Sequence, residues 1–263
     1  MIDTLAPGEI HTTAIIDRTA DIAPDAAIGP YAVIGPRVVI GAGTRVGPHA
    51  VVHQDTTLGA SCVVHQGASI GNEPQDLKFG GEQTEVIIGE RTVVREFVTI
   101  NRGTSAHGKT EIGSDCLLMA YAHVAHDCII GNHVVIANSV NMGGHVEIGD
   151  WVVVGGMSAI HQFAKIGAHA FVGGMSAVRK DVPPYVKASG QPLKLYGLNS
   201  VGLQRRGFSD AVRLELKRAY RLFFQSDLNI TQAAERARSE LKPSSELDYF
   251  LAFLEASNRG LTI

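Results

Sequence analysis

The sequence predicts a mainly β protein: a parallel β-solenoid shaped as a triangular prism, followed by a small α-helical part. Two periodic patterns predict the solenoid, because an aliphatic side chain recurs every six residues and a small side chain follows each one by four residues. Neither an α-helix nor a flat two-faced sheet has this period. Both patterns end near Pro183 and Pro184, so we assign residues 1–191 to the prism and residues 192–263 to the helical part.

The aliphatic positions keep one phase through runs of ten, three and twelve members. They are Ile16, Ile22, Ile28, Ile34, Ile40, Val46, Val52, Leu58, Val64, Ile70, Ile88, Val94, Ile100, Ile112, Leu118, Val124, Ile130, Ile136, Met142, Ile148, Val154, Ile160, Ile166, Val172 and Val178. The interruptions, of 18 residues after Ile70 and 12 residues after Ile100, are multiples of six. The frame is therefore kept while two loops, residues 72–86 and 102–111, bulge from it.

The small positions account for all three cysteines, Cys62, Cys116 and Cys128. An odd number of cysteines argues against a disulfide set and their spacing argues against zinc, so we predict buried thiols in a reducing compartment. The residue directly after the aliphatic is often glycine, as at Gly41 and Gly113. We predict a tight corner at that point of each repeat.

Three repeats make one triangular coil of 18 residues, and each coil stacks on the last at strand spacing, ~4.8 Å. Residues 18 apart are then stacked neighbours, and side chains other than the aliphatic and the small one face outward. One outer edge collects polar side chains that can do chemistry: His126, Asp127, His145 and Gln162, with His123 and His161 close by.

This edge has the groups that general-base catalysis needs. Asp127 lies one coil below His145, and Gly144 leaves a notch between His126 and Gln162, ~10 Å apart by coil stacking. An imidazole can take a proton near neutral pH when a carboxylate orients its other nitrogen. We expect His126 to be that base. The histidines away from this cluster are expected to be ordinary surface residues: His49, His53, His65, His107, His133 and His169.

Six segments spread along the whole chain resemble the hexapeptide-repeat acyltransferases. They are residues 71–78 (GNEPQDLK), 98–104 (VTINRGT), 122–128 (AHVAHDC), 154–163 (VGGMSAIHQF), 181–185 (DVPPY) and 202–208 (GLQRRGF). The similarity is closest to members that acylate UDP-N-acetylglucosamine from acyl carrier protein, the first step of lipid A synthesis. The resemblance implies a left-handed helix, an exception to the usual right-handed crossover, and a homotrimer with active sites in the grooves between subunits.

The resemblance assigns roles to the histidine-bearing edge. His126 matches the general base that takes the proton of the sugar 3-hydroxyl, with Asp127 as the orienting carboxylate. Gly144 matches a backbone N–H donor that stabilises the oxyanion. The acyl chain arrives as a thioester on acyl carrier protein, and no cofactor or metal is implied. The absence of a nucleophile motif in the sequence is consistent with direct transfer.

Substrate-binding residues also follow from the resemblance. They are Asp76, Lys78, His123, His145, His161, Gln162, Asn199, Arg205 and Arg206. Asp76 and Lys78 match loop residues that hold the sugar nucleotide, Arg205 matches a phosphate contact and Arg206 a carrier-protein contact. Without the resemblance, the first two could be a solvated surface pair and the two arginines a basic approach to a helix.

Two departures from the family pattern concern the acceptor. Val201 stands where an acidic side chain is expected, two residues after Asn199, and the loop of residues 104–110 is shorter by a residue. Gly174 matches the position whose side-chain size limits acyl length. Glycine there, with Gly173 beside it, leaves the groove open and favours a longer chain.

The C-terminal part has three helical patterns. Ser209 caps the first, whose apolar face includes Leu216 and Tyr220; Thr231 starts the second, which Pro243 ends. The third has an apolar face of Leu247, Phe250, Leu251 and Leu254. The basic residues of this part are expected to dock the acidic carrier protein: Arg205, Arg206, Arg213, Lys217, Arg218 and Arg221.

Composition restricts the remaining classes. The formal net charge is -3, with 45% hydrophobic residues, which predicts a soluble globular protein without a nucleic-acid partner. No apolar run is long enough to cross a bilayer, and Met1–Thr4 has no basic export-signal region, which favours the cytoplasm.

Three alternatives stay open. A related N-acyltransferase acting on an amino sugar nucleotide would be expected to have an extra N-terminal domain, for which the stretch before Ile16 leaves no room. A hexapeptide-repeat carbonic anhydrase would bind zinc on three histidines between subunits, but Gln162 is a poor zinc ligand. A non-catalytic scaffold would not explain the clustering of His, Asp and Gln on one edge.

Overall fold

The computed structural model describes residues 5–263. The chain forms the predicted left-handed parallel β-helix with a small helical region after it. Strands of mostly two residues alternate with turns, and each strand pairs in parallel with the strand one coil away. The expectation drawn from Met1–Thr4 lies outside the described residues.

The strands form three flat sheets, the sides of the prism. Sheet I contains β1 (Ile15–Ile16), β4 (Val33–Ile34), β7 (Val51–Val52), β10 (Ser69–Asn72), β13 (Thr99–Asn101), β16 (His123–Val124), β19 (Asn141–Met142), β22 (Ala159–Ile160) and β25 (Ala177–Val178). Sheet II contains β2 (Asp21–Ile22), β5 (Val39–Ile40), β8 (Thr56–Leu58), β11 (Glu85–Ile88), β14 (Lys109–Ile112), β17 (Ile129–Ile130), β20 (Glu147–Ile148) and β23 (Lys165–Ile166). Sheet III contains β3 (Ala27–Ile28), β6 (Arg45–Val46), β9 (Val63–Val64), β12 (Val93–Val94), β15 (Leu117–Leu118), β18 (Val135–Ile136), β21 (Val153–Val154), β24 (Phe171–Val172), β26 (Val186–Ser189) and β27 (Lys194–Leu198).

The core of the prism is the predicted aliphatic series. Every member from Ile28 to Val178 is at most 3% exposed, whereas Ile16 and Ile22 in the first coil are partly buried. The three cysteines lie among these side chains as free, buried thiols. Burial raises the pKa of the Cys128 thiol to about 12, so this thiol stays protonated and unreactive.

The corner of each repeat differs from the prediction. The third residue after the aliphatic has the left-handed conformation, for example His145 with φ 60° and Met175 with φ 56°. A Cβ on Gly41 would lie 2.6 Å from the carbonyl carbon of Gly59 in the next coil. The glycine that follows the aliphatic is therefore needed for the close approach of neighbouring coils, and the prediction of a corner there was wrong.

The turns stack into three edges, which we name by their side chains. The histidine edge, between sheets I and II, includes His126, Asp127, Gly144, His145 and Phe163. The aromatic edge, between sheets II and III, includes His133, Trp151, His169 and Tyr185. The methionine edge, between sheets III and I, includes Tyr121, Met157, Gly174 and Met175. The histidine edge therefore lies opposite sheet III.

Both loops leave the repeat after strands of sheet I, at the histidine edge. Strands β10 and β11 end and begin so that the first loop is residues 73–84, and β13 and β14 leave residues 102–108 for the second. Both are shorter than predicted, because the strands beside the loops are extended to three or four residues.

The sheet does not stop at Pro184, contrary to the prediction. Strand β26 pairs in parallel with β24, and β27 returns antiparallel to β26. The expected boundary at residue 191 falls inside this hairpin, so the division into two domains stays a prediction. Within the described residues, no helix is long and apolar enough to cross a membrane.

Four helices follow the hairpin: α1 (Ser200–Arg205), α2 (Asp210–Phe224), α3 (Ile230–Glu240) and α4 (Ser245–Glu255). Ser209 caps α2 as predicted, by accepting from the Val212 N–H. Helix α3 begins before Thr231, because Asn229 and Gln232 form a capping box. Helix α4 buries the four predicted residues, and α1 was not predicted.

Candidate active site

His126 and Asp127 form a hydrogen-bonded dyad. The Nδ1 of His126 lies 2.8 Å from Oδ2 of Asp127. A carboxylate only accepts hydrogen bonds, so Nδ1 carries the hydrogen and Nε2 is left with its lone pair. Asp127 is 0% exposed, which corrects the expectation that it faces outward. The loop of residues 102–108 covers it.

The Asp127 carboxylate is held as an anion by its neighbours. Thr104 donates its backbone N–H to Oδ1 at 2.9 Å and its hydroxyl to Oδ2 at 2.7 Å. Burial acts to raise the pKa of Asp127, but the hydrogen bonds from Thr104 and His126 outweigh it and the pKa lies below its usual value. The Thr110 hydroxyl also accepts the Asp127 N–H at 2.8 Å.

His145 stands over the dyad. Its ring meets the His126 ring edge-on at 5.2 Å between centroids and stacks on Phe163 at 4.5 Å. Its Nε2 lies 3.6 Å from Oδ2 of Asp127. Burial lowers the pKa of His145 more than the Asp127 carboxylate raises it. His145 is therefore held neutral beside the dyad and can donate or accept one hydrogen bond.

Gly144 leaves the predicted notch above His126. A Cβ at this position would lie 2.5 Å from Cε1 and 2.6 Å from Nε2 of His126. The Gly144 N–H donates to no acceptor within residues 5–263, since the coil ladder does not use this position. A free N–H and an unprotonated Nε2 therefore face the same open space.

Two further predicted residues lie beside the dyad. His123 is on strand β16, half-buried, with Nδ1 2.7 Å from the Thr99 hydroxyl oxygen. Burial first, and then the nearby His126, lower the pKa of His123. Asp76, on the first loop, is close enough to raise the pKa of His145 slightly.

Other predicted residues on this edge are exposed. Lys78 lies at the surface of the first loop, where its N–H donates to Oδ1 of Asp76. His161 turns away from the dyad, and its Nδ1 lies 2.7 Å from a guanidinium nitrogen of Arg259. Gln162 is exposed two coils above His126. Within one chain these three residues line the rim of the notch.

The remaining predicted residues lie on the other two edges. Asn199 is 7% exposed, caps α1 and donates to the His169 carbonyl at 3.0 Å. Arg206 packs over the Trp151 ring at 5.2 Å and reaches Nδ1 of His169 at 3.3 Å. These two are on the aromatic edge, so neither can touch a ligand held at His126 of the same chain.

Gly174 lies on the methionine edge. It is exposed, and a Cβ there would be 3.2 Å from the Gly156 carbonyl oxygen, with open space beyond it. Gly173 beside it is buried, and its Cβ would lie 2.4 Å from the Ser189 hydroxyl oxygen. Gly173 therefore serves coil packing, which corrects the expectation that it opens a groove.

Sequence reasoning missed Thr104, Thr110, His107 and Phe163. Phe163 had a signal, because it lies 18 residues after His145. The others had no register signal, since His107 and Thr104 belong to a loop that interrupts the repeat. His107 was set aside as a surface histidine, yet its ring lies 5.3 Å from that of His145, edge-on.

The arrangement can take a proton from a hydroxyl group and stabilise an oxyanion beside it. It could also offer ligands to a metal ion, because one donor atom each of His126, Asp127 and His145 lie within 4.8 Å of one another. Both Asp127 oxygens, however, already accept hydrogen bonds from Thr104, which suits an orienting carboxylate better than a metal ligand.

Comparison with family models gives three matches. Residues 181–262 match the model of UDP-N-acetylglucosamine O-acyltransferase, domain 2. Residues 109–144 match the bacterial transferase hexapeptide model, and residues 10–110 match the GMPPB C-terminal domain.

Relatives match over nearly the whole chain. An acyl-(acyl-carrier-protein)–UDP-N-acetylglucosamine O-acyltransferase of Anaeromyxobacter sp. is 48% identical over 96% of this chain and 99% of its own. A UDP-N-acetylglucosamine O-acyltransferase structure from Moraxella catarrhalis is 42% identical, with a TM-score of 0.94 over 96% of this chain and 99% of the other. The corresponding enzyme of Francisella novicida, 34% identical, has a TM-score of 0.93 over 96% and 93%.

Proposed function

Because the chain belongs to the UDP-N-acetylglucosamine O-acyltransferase family, we propose that it transfers a 3-hydroxyacyl chain from acyl carrier protein to the sugar 3-hydroxyl, with His126 as general base. This reaction is the first step of lipid A biosynthesis. The observation that carries the assignment of His126 is its hydrogen bond to buried Asp127, which leaves Nε2 facing the notch at Gly144.

The proposed mechanism is direct transfer. His126 Nε2 takes the proton of the sugar 3-hydroxyl as its oxygen attacks the thioester carbonyl carbon. The Gly144 N–H donates to the carbonyl oxygen as it becomes an oxyanion. When the intermediate collapses, the carbon–sulfur bond breaks and the imidazolium returns its proton to the departing thiolate. No step needs a cofactor or metal.

The sugar nucleotide would bind along the histidine edge and the first loop. We propose that Asp76 and Lys78 hold the sugar, that His145 and Gln162 contact it, and that His123 and His161 line the groove. The position of Asp76 near His145 supports this arrangement.

We propose that the site is completed by a second copy of the chain in a homotrimer. His126, Gly174 and Arg206 lie on three different edges, so one chain cannot bring them to one ligand. Sheet III, opposite the histidine edge, has an apolar outer face that includes Val93, Leu117 and Phe171. A head-to-tail contact between the histidine edge of one copy and sheet III of the next would close into a ring.

Subunit mixing tests the shared site. His126→Ala and Arg205→Ala chains, each inactive or weak alone, are co-expressed with different tags and the mixed trimers are purified. A shared groove predicts recovery in about a quarter of the grooves at random mixing. Activity no higher than that of the parents would place both residues in the same chain's site.

The carrier protein is acidic, so we propose that it docks on the basic surface of α1 and α2. Arg205 is exposed at the end of α1, and Lys217 and Arg221 line a cleft of about 190 Å³. Arg213 and Arg218 are paired with acidic residues of α2 and contribute less. The cytoplasm, where acyl carrier protein is charged, is the proposed location.

A transfer assay tests the function and the acyl length together. Wild type and Gly174→Met receive UDP-N-acetylglucosamine and a panel of 3-hydroxyacyl carrier proteins of about ten to sixteen carbons. We expect wild type to prefer a long chain and Gly174→Met a shorter one, because the methionine would fill the open space at Gly174. Identical profiles would move the length limit elsewhere. Transfer only to a 3-amino sugar nucleotide would favour the N-acyltransferase alternative, which Val201 leaves open.

The metal alternative rests on the cluster of His126, Asp127 and His145. Of the four histidines that an anhydrase would use, His161 points to Arg259 instead. Metal analysis of purified wild type is expected to find no stoichiometric zinc, and stoichiometric zinc with carbonic anhydrase activity would reverse the proposal.

A further inference from the structure

Residues 101–104 (Asn-Arg-Gly-Thr), which we call the clasp, lie between the first loop and the dyad. On the loop side, Nδ2 of Asn101 donates to the Glu73 carbonyl at 2.8 Å, and the Arg102 N–H donates to the Asn72 carbonyl at 2.9 Å. The Gly103 carbonyl accepts from the Thr84 hydroxyl at 2.6 Å. Three successive clasp residues therefore hold both ends of the loop of residues 73–84.

Arg102 anchors the middle of that loop. It is 5% exposed, and its guanidinium lies 5.2 Å from the centroid of the Phe79 ring. One of its nitrogens is 3.4 Å from Oε1 of Glu73. A buried cation over an aromatic face resists displacement more than an exposed one. Asp76 and Lys78, the proposed sugar contacts, lie between Glu73 and Phe79 along the chain.

Thr104 acts on the other side. Its N–H and its hydroxyl bind the two different oxygens of Asp127, and the residue is 8% exposed. The hydroxyl also accepts the Ala106 N–H at 3.2 Å, which fixes the direction of its own hydrogen toward Asp127. Thr104 therefore sets the plane of the carboxylate to which His126 is hydrogen-bonded.

The backbone between these two sides is tightly fitted. A Cβ on Gly103 would lie 2.3 Å from the Lys109 nitrogen, so a side chain there would push the clasp out of place. Movement of Arg102 would consequently be passed to Thr104 across a single residue.

We propose that the clasp positions both halves of the active site, with Arg102 holding the sugar-binding loop and Thr104 orienting the Asp127–His126 dyad. This inference rests on the proposed function and extends it to residues that touch no substrate. The two halves predict different kinetic effects: the dyad side should change kcat and the loop side should change the KM for the sugar nucleotide.

The dyad side is tested with Thr104→Val, Thr104→Ser and a matched control, Thr44→Val. Thr44 also buries a hydroxyl with two hydrogen bonds, but in a distant coil. Thr104→Val should lower kcat about tenfold or more with little change in KM. It also removes a donor that holds the pKa of Asp127 down, so activity should fall at a higher pH than in wild type on acidification. Thr104→Ser should restore both, and Thr44→Val should change neither.

The loop side is tested with Arg102→Gln and the charge-preserving Arg102→Lys. Arg102→Gln should raise the KM for UDP-N-acetylglucosamine about tenfold with kcat nearly unchanged. Its loop should open more often, so trypsin should cut after exposed Lys78 several-fold faster than in wild type, as detected by mass spectrometry. Arg102→Lys should be intermediate in both measurements.

Wild-type kcat, pH profile and KM in Thr104→Val and Arg102→Gln would overturn the inference. Equal losses of kcat and KM in both variants, with no change in cleavage at Lys78, would reduce the clasp to a folding role. Proteolysis needs no substrate, so it still tests the loop side if wild type fails to acylate UDP-N-acetylglucosamine and the proposed function itself is wrong.

Discussion

The histidine edge and the aromatic edge present rings at the same point of the repeat, yet their surroundings differ. The third residue after the aliphatic is Asp127, His145 and Phe163 on the first edge, and His133, Trp151 and His169 on the second. On both edges the rings stack from coil to coil. Register alone therefore makes a ladder of rings and does not make an active site.

The carboxylates account for the difference. Asp127 is buried and turned to His126 at 2.8 Å. Asp115 is 3.9 Å from Nδ1 of His133 and is already held by two nitrogens of Arg91, at 2.7 and 2.8 Å. A carboxylate committed to a guanidinium cannot orient an imidazole in the same way. A catalytic histidine here requires an available buried carboxylate, and only then an exposed Nε2.

The largest effect in this comparison is expected from Asp127→Asn. The amide would direct a donor at groups that are themselves donors, Thr104 and His126, and His126 would lose its fixed tautomer. We expect kcat to fall about 100-fold or more. Steady-state transfer assays, with circular dichroism to confirm folding, check it. Wild-type turnover in a folded Asp127→Asn protein would remove the carboxylate from the account.

A smaller loss is expected from Gly144→Ala. The new Cβ would overlap Cε1 and Nε2 of His126, so the imidazole must move away from the notch. We expect kcat to fall about tenfold. Gly156→Ala, at the equivalent position on the methionine edge, is the matched control, because its Cβ would have 3.1 Å to the Asn138 carbonyl oxygen and no ring beside it. Equal effects of the two substitutions on kcat would show that the notch has no special role.

The aromatic edge predicts a change in stability instead of catalysis. Burial first, and then Arg206, lower the pKa of His169 to about 4, from an ordinary value of 6.5. Between these values the unfolded chain binds the extra proton, so stability should fall as the pH falls from about 6.5 to about 4. His169→Phe keeps the stacking and cannot be protonated, so it should lose about 1–2 kcal/mol less over that window. Urea unfolding at pH 7 and pH 5, at one protein concentration, checks this; equal slopes in wild type and variant would contradict it.

The prism and the dyad could be predicted from the sequence for one physical reason. A strict period fixes which side chains stack, so the buried series from Ile28 to Val178 and the pair of Asp127 with His145 followed from counting residues. The handedness and the roles of the residues came from family resemblance, and the roles stay predictions.

What could not be predicted lies where the period is broken or where chains meet. Thr104 reaches Asp127 from a loop, so no register relates the two, and Asp127 was expected at the surface because the covering loop has no periodic signal. Asn199 and Arg206 were expected beside His126, yet one chain places them on the aromatic edge. Sequence spacing is silent about which edge of a neighbouring copy completes a groove.

The central claim is that His126 is the general base and that its neighbours, not its place in the repeat, make it so. The most direct test measures transfer from 3-hydroxyacyl carrier protein to UDP-N-acetylglucosamine by His126→Ala, with His133→Ala as the matched histidine of the aromatic edge. His126→Ala should lose about 100-fold or more in kcat while remaining folded, and His133→Ala should stay within about twofold of wild type. Near-normal turnover of folded His126→Ala, or an equal loss in both variants, would contradict the account.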